Sequence, residues 1–215
     1  MNTGLSVGKN LLHYIKESSG LNKTNFVIPV GKPVRAYLRV IPTLPSQHDP
    51  LDLQLLSDWR NKYVKSFLTE FRAYPERTAK WLSEYVHKNE GKILFMLVTL
   101  DGERLGHIGL AFIDWDTGYG EADAIVSGGA SPYGLMKLAL QTTLKWAKEQ
   151  LSLISLGVRV RSDNTALDFY RKVGFQEVKR VPLRIEKVGD DTNWYEDEGL
   201  VEFDAALVYM IYRSE

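Results

Sequence analysis

The stretch VRVRSDNTALDFYRKVGFQEV, residues 158–178, decides how the rest of the chain is read. VRVR is short, β-branched and alternating, which suits a strand. TALDFYRKV reads as a brief helix. Asp163 or Asn164 stands where a side-chain oxygen can accept its first free N–H groups, and Gly174 falls just past its last turn. FQEVKRVPL then reads as a second strand, so strand, helix and strand follow one another as in an α/β sheet.

Upstream lies SGGASPYGLMKLAL, residues 127–140, in which glycines, serine and proline give way abruptly to a helix, LMKLALQTTLKWAKEQ. The segment Glu121–Val126 reads as a strand running into this loop. Such a junction aims unpaired N–H groups and the positive end of a helix dipole at one point, which suits a pyrophosphate. It is neither GxGxxG nor a Walker loop ending in GK[ST], and this disfavours a dinucleotide or ATP. Taken alone, the loop leaves open a phosphate cradle or a tight turn into the core.

Farther out, ILFMLVTL, DGE and RLGHIGLAFI form the clearest hairpin. Leu53, Leu56, Trp59, Tyr63 and Phe67 recur at helical spacing, and a second helix beginning at Pro75 carries Ala79, Leu82 and Val86. FVIPVGKPVRAYLRVIPT places an early hairpin around Gly31-Lys32-Pro33. Residues 1–20 read as a short helix or a loosely attached arm. At the other end FQEVKRVPL and AALVYMIY read as strands separated by a polar loop, GDDTNWYEDEG. The order βααββ(β)αβαββ implies a single α/β domain over 1–215, with helices on both faces of the sheet and 1–35 as an N-terminal extension.

Composition narrows the function. Lys+Arg and Asp+Glu number 27 each, so no overall field favours nucleic acid or an anionic membrane, and an anionic ligand must be met locally. The chain has no cysteine, which removes disulfides, thiolate metal sites and a cysteine nucleophile together. Its four histidines show no ligand spacing, so no metal site is expected. The opening MNTGLSVGKNLLHYIKE lacks the apolar run of a signal peptide, and ILFMLV is too short to cross a bilayer. A cytoplasmic protein without membrane insertion is the expectation.

Residues 158–178 resemble the second signature of the GCN5-related N-acetyltransferases (GNAT), N-x(2)-A-x(3)-Y-x(3)-GF. Ala166, Tyr170, Gly174 and Phe175 keep its spacing; Asp163 fills the asparagine slot and Asn164 sits one place later. The loop falls where that family has R/Q-x(2)-G-x-G/A. Gly134 fits the final position, Pro132 replaces the first glycine and Gly129 replaces the Arg/Gln. The resemblance spans roughly 93–180 and implies a GNAT-like, mixed, mostly antiparallel central sheet splayed at a cofactor cleft.

It also implies acetyl-CoA as cofactor and direct acetyl transfer to the primary amine of a small-molecule acceptor. The cofactor arm would pair with backbone at Ile125, Val126 and Ser127, with the N–H of Val126 or a neighbour polarising the thioester carbonyl. Its pyrophosphate would meet the main chain of Gly129, Ala130, Ser131, Tyr133, Gly134, Leu135 and Met136. Asn164 and Tyr170 would lie along the arm, with Tyr170 protonating the leaving thiolate. Asp123 is the first choice for the base, with Glu121 and His107 as the other candidates. Glu121 and Asp123 share a strand face, which places Glu121 beside the acceptor as well.

SDWRNKYVKSF, the WL of AKWLSEY, PYGLM, RVPLR and the W-x-E at Trp194 look similar to the GNAT branch that acetylates nucleotide-linked amino sugars. This likeness implies Arg60 and Asn61 as donors to a phosphate or sugar hydroxyl. Trp115 and Trp194 stand in polar segments, where substrate stacking or a homodimer contact would occupy them. The alternatives are acetylation of a polyamine, which the acidic DDTNWYEDE would suit, or of a protein N-terminus. From another class, a degenerate GNAT fold would only bind a ligand or partner.

Overall fold

Alternation along residues 93–114 builds the middle of the sheet and sorts its two faces. In the computed structural model, which describes residues 3–20, 26–129 and 131–213, these residues form β4 (Ile93–Thr99) and β5 (Arg104–Asp114). Phe95, Leu97, Ile108 and Leu110 enter one core cluster, whereas Leu94 and Met96 enter another on the opposite face. The first cluster is covered by α1 (Thr3–Ser18), α4 (Leu135–Gln150) and α5 (Ala166–Val173), which contribute Leu12, Leu144 and Tyr170 among others. The second lies under α2 (Pro50–Lys62) and α3 (Pro75–Trp81), the latter continuing as a π-helical turn through Leu82–His87. Helices therefore sit on both faces.

The remaining strands are β1 (Val27–Val30), β2 (Ala36–Val40), β3 (Thr69–Glu70), β6 (Tyr119–Ser127), β7 (Ser155–Arg161), β8 (Phe175–Val188), β9 (Asp191–Glu196) and β10 (Ala206–Tyr212). Their order is β1-β2-β4-β5-β6-β7-β10-β8-β9-β3. Every neighbouring pair is antiparallel except β6 and β7, whose connection is the α4 crossover. That parallel pair is joined only from Tyr119–Glu121 to Ser155–Gly157, although β6 runs on to Ser127 and β7 to Arg161. The sheet is splayed there.

A bulge on β6 accompanies the splay. The register steps from His107↔Val126 to Gly109↔Asp123, leaving an extra residue on β6, and Ala124 takes a left-handed φ of 48° to absorb it.

Two local readings change, and a third, the choice at the N-terminus between a helix and a loose arm, falls to the helix. GDDTNWYEDEG is not a loop throughout, because Asp191–Glu196 pairs with both β8 and β3. The helix expected to reach Phe67 stops at Lys62, and a 3₁₀ turn at Val64–Ser66 follows. The first residues form a 16-residue helix whose Leu5, Leu12 and Ile15 are buried in the main core. Lys16 fastens that helix to the end of the π-helical turn, its ammonium donating to the carbonyls of His87 (2.8 Å) and Asn89 (2.7 Å). Among the described residues no helix is long and apolar enough to cross a membrane.

Candidate active site

The gap between β6 and β7 opens directly onto the glycine loop. Gly128 N–H donates to Leu105 O at 2.8 Å and extends the β5–β6 ladder past Ser127. By antiparallel alternation the amide of Val126 also faces β5, while those of Ile125 and Ser127 face the gap. Of the amides named from the resemblance, the neighbours of Val126 are the free donors.

Beyond Ser127 the loop is tied by its own backbone: Ser131 N–H donates to Gly129 O (2.8 Å) and Leu135 N–H to Pro132 O (3.0 Å). Gly134, at φ 77°, swings the chain into α4. The N–H groups of Met136 and Lys137 make no hydrogen bond among the described residues. They join the positive end of α4. Side chains placed on Gly129 or Gly134 would meet nothing within 4 Å, so both face open space. Free backbone donors, a helix N-terminus and an open concavity fit a phosphate group. Tyr133 stands fully exposed beside them, and Ala130 lies outside the described residues.

Around Asp123 of β6, four of the residues singled out in the sequence lie within electrostatic reach. Asp123 is half-buried and acts on Tyr170, His107 and Arg60. Tyr170 projects from α5 and is buried; burial, and then the charge of Asp123, push its hydroxyl pKa above the ordinary range, so it stays protonated. His107 is buried on β5 against Trp59, with ring centroids 6.0 Å apart. Burial drives its pKa down to about 4 despite a hydrogen bond with the Ala124 backbone and the nearby Asp123, so the ring is neutral. Its Nδ1 has no hydrogen-bond partner among the described residues. Arg60 is sandwiched between Phe67 (3.6 Å) and Phe71 (4.5 Å), and burial followed by repulsion from Arg77 pushes its pKa down to about 10. It is still a cation at neutral pH.

Other residues singled out in the sequence are already engaged. Glu121 accepts from Tyr119 Oη (2.9 Å) and Arg159 Nε (2.7 Å), while Asp123 on the same face takes Lys92 Nζ at 2.8 Å. Asn61 spends both ends of its amide on Ala73, at 2.9 and 2.8 Å. Asn164 Oδ1 accepts from Ala166 N–H (2.9 Å) at the start of α5, and its Nδ2 donates to Ser66 O (3.2 Å). Asp163 pairs with Arg161 instead. Trp194 donates its indole N–H to Glu70 at 2.9 Å and lies under Arg161, 3.8 Å from the ring centre. Trp115 donates to Glu90 O at 3.2 Å.

Lys92, Arg159, Arg161 and Glu70 were not singled out in the sequence. No motif marks them, because the partners Asp123, Glu121 and, for the Arg161–Glu70 pair, each other lie far off along the chain.

A parallel strand pair that parts beside a glycine loop, with a protonated tyrosine and a carboxylate across the gap, defines a transferase that receives an acyl thioester. Residues 38–176 match the family described as the acetyltransferase (GNAT) domain. The chain belongs to the GNAT acetyltransferase family: it is an N-acetyltransferase whose acetyl donor is acetyl-CoA. No curated protein matches its sequence. Its fold is similar to that of spermidine N-acetyltransferase from Vibrio cholerae, solved with CoA and spermine, at 15% identity over 82% of this chain and 94% of that one, with a TM-score of 0.63. It is similar too to FdhC, a nucleotide-linked sugar GNAT, at 13% identity over 88% of this chain and 90% of that one, with a TM-score of 0.61.

Proposed function

We propose that this acetyltransferase acts in the cytoplasm on the primary amine of a nucleotide-linked amino sugar, by direct transfer. The observation that carries the acceptor reading is the charge balance of the cleft face. Its carboxylates are spoken for: Asp123 by Lys92 (2.8 Å), Glu121 by Arg159 (2.7 Å), Glu70 by Arg161 (3.1 Å) and Asp191 by Arg77 (3.1 Å). Arg60 donates one nitrogen to Thr69, but among the described residues it makes no ion pair and its buried Nε has no partner, so its charge is unmatched. A face with a spare guanidinium and no spare buried carboxylate favours an acceptor that carries negative charge on its remainder, as a phosphodiester does. A polycationic acceptor would want the reverse.

Acetyl-CoA, when bound, supplies an activated acetyl thioester. The amides of Ile125 and Ser127 are free to donate to an oxygen that gains negative charge, and they need no reorganisation to do so. Asp123 Oδ1, the oxygen not taken by Lys92, receives the proton of the acceptor amine. Tyr170, held protonated by burial, gives its hydroxyl proton to the departing sulfur. Because the amine attacks directly, the absence of cysteine costs the chemistry nothing.

A second reading, polyamine acetylation, has one feature in its favour. Asp190 and Glu70 line a cavity of about 480 Å³ together with Lys65, Phe71 and Arg72. Thiol release measured with nucleotide-linked amino sugars, the corresponding free amino sugars, spermidine and peptides separates the readings. The expected result is a kcat/KM for the nucleotide-linked sugar about 100-fold above that for the free sugar. A preference for spermidine would overturn the proposal.

A further inference from the structure

Lys92 stands in the short turn that delivers the chain into β4, and its backbone is held on three sides. Asn89 Oδ1 accepts from Gly91 N–H (2.8 Å), Asn89 O accepts from Lys92 N–H (3.3 Å), and Gly91 O accepts from Ile113 N–H on β5 (3.3 Å). From this fixed base the side chain runs over the Trp81 ring, 5.5 Å from its centre, and ends 2.8 Å from Asp123 Oδ2. Only 17% of it is exposed.

A lone ion pair to a carboxylate still open to water, as Asp123 is, contributes little to stability, about 1 kcal/mol. The ordering of this long side chain therefore calls for another reason. The charged and titratable groups around Asp123 supply one. Arg60 from α2 is engaged with Thr69, His107 from β5 is neutral and bonded to the Ala124 backbone, and Tyr170 from α5 is held protonated. Among the described residues, only Lys92 hydrogen-bonds to the carboxylate. It takes Oδ2 and leaves Oδ1 without a hydrogen bond among the described residues.

We infer that Lys92 is a positioning residue for acceptor deprotonation: it fixes the rotamer of Asp123 through Oδ2 so that Oδ1 is presented to the acceptor amine. This rests on the reading of Asp123 as the base. The pair spans the middle of the sheet, from the entrance of β4 to β6, so it also sets how the carboxylate sits relative to the splayed edge.

The test is a double-mutant cycle in the full-length protein, read as kcat and as KM for each substrate, with thermal melts run in parallel. Asp123→Asn is expected to lower kcat about 100-fold, as loss of a general base does. Lys92→Met should lower kcat about 10-fold while leaving the KM for acetyl-CoA unchanged, the signature of a misplaced group rather than a lost binding contact. Lys92→Arg should restore most of that loss, since a guanidinium can still donate to Oδ2. In the Asp123→Asn background, Lys92→Met should cost nothing further. Should Lys92→Met melt early, Lys92→Gln, with a shorter stem and a neutral donor, serves in its place.

Full kcat in Lys92→Met beside a crippled Asp123→Asn would overturn the inference and leave the base reading standing. An equal loss from Lys92→Met with and without Asp123 would also overturn it, by placing the action of Lys92 elsewhere. Wild-type kcat in Asp123→Asn would remove the base reading and the inference together.

Discussion

The loop glycines Gly128, Gly129 and Gly134 meet three different surroundings, and replacing each by alanine should separate them. A Cβ on Gly128 would lie 2.0 Å from Cε2 of Trp59 and 2.4 Å from its Nε1, far inside contact distance. The ring cannot simply move aside, because Trp59 is 6% exposed and stacked on His107 with 24° between the ring planes. Overpacking of this kind costs about 1–3 kcal/mol. In a chain of this size that is a fall in Tm of roughly 2–12 °C. Gly134 has open space around it but a φ of 77°, so alanine there pays about 1 kcal/mol of backbone strain and no clash. Gly129 has neither obstacle, and its alanine variant should stay within about 0.5 kcal/mol of the parent.

The expected order of destabilisation is therefore Gly128→Ala, then Gly134→Ala, then Gly129→Ala. Urea midpoints followed by tryptophan fluorescence measure it. Combining Gly128→Ala with Trp59→Leu should recover part of the loss, a coupling of about 0.5–3 kcal/mol. If Gly128→Ala melts with Gly129→Ala, the packing of Trp59 under the loop is not what makes position 128 a glycine, and the argument fails.

Tyr170→Phe should lower kcat about 10–100-fold with acetyl-CoA affinity almost unchanged, checked by initial rates and calorimetry; unaltered turnover would remove Tyr170 from the mechanism. His107 ties stability to pH through its folded pKa of about 4, below the ordinary histidine value of 6.5. The unfolded chain binds the extra proton, so stability is fully present above pH 6.5 and is lost as pH falls toward 4, by about 3 kcal/mol. Urea midpoints across that window should show the loss, and His107→Gln should flatten it. Arg161→Met takes from the buried Glu70 one of its two cationic partners, Lys65 (2.6 Å) remaining, and should destabilise by about 1–3 kcal/mol, and adding Glu70→Leu should return part of it; a purely additive double mutant would deny the pairing.

What was legible in the sequence is what adjacent residues decide among themselves. The run from Val158 to Phe175 states a strand, a helix and its glycine stop within one short window, and the structure has β7, α5 and a left-handed Gly174 there. The hairpin of β4 and β5 is equally local, since DGE joins two strands of clear alternation. Segments whose form depends on distant partners were read less well. Asp191–Glu196 is polar enough for a loop and becomes a strand because β8 and β3 supply hydrogen bonds on its two edges. Residues 3–18 show an apolar stripe, but only the sheet and α4 make that stripe a buried face.

The two carboxylates of β6 mark the same boundary inside the site. Alternation puts Glu121 and Asp123 on one face, and nothing in EADAIV distinguishes them as candidate bases. Their partners do. Glu121 is buried and spends one oxygen on Tyr119, two residues back on the same face of β6, and the other on Arg159, which the β6–β7 pairing brings beside it. With both oxygens bound it has little capacity left to take a proton from an incoming amine. Asp123 lies past the point where β7 parts from β6; among the described residues no β7 side chain hydrogen-bonds to it, and Lys92 occupies only one of its oxygens. The splay is thus the same feature that leaves Asp123, and not Glu121, with an oxygen free of hydrogen bonds among the described residues, which is why the proposed base is Asp123.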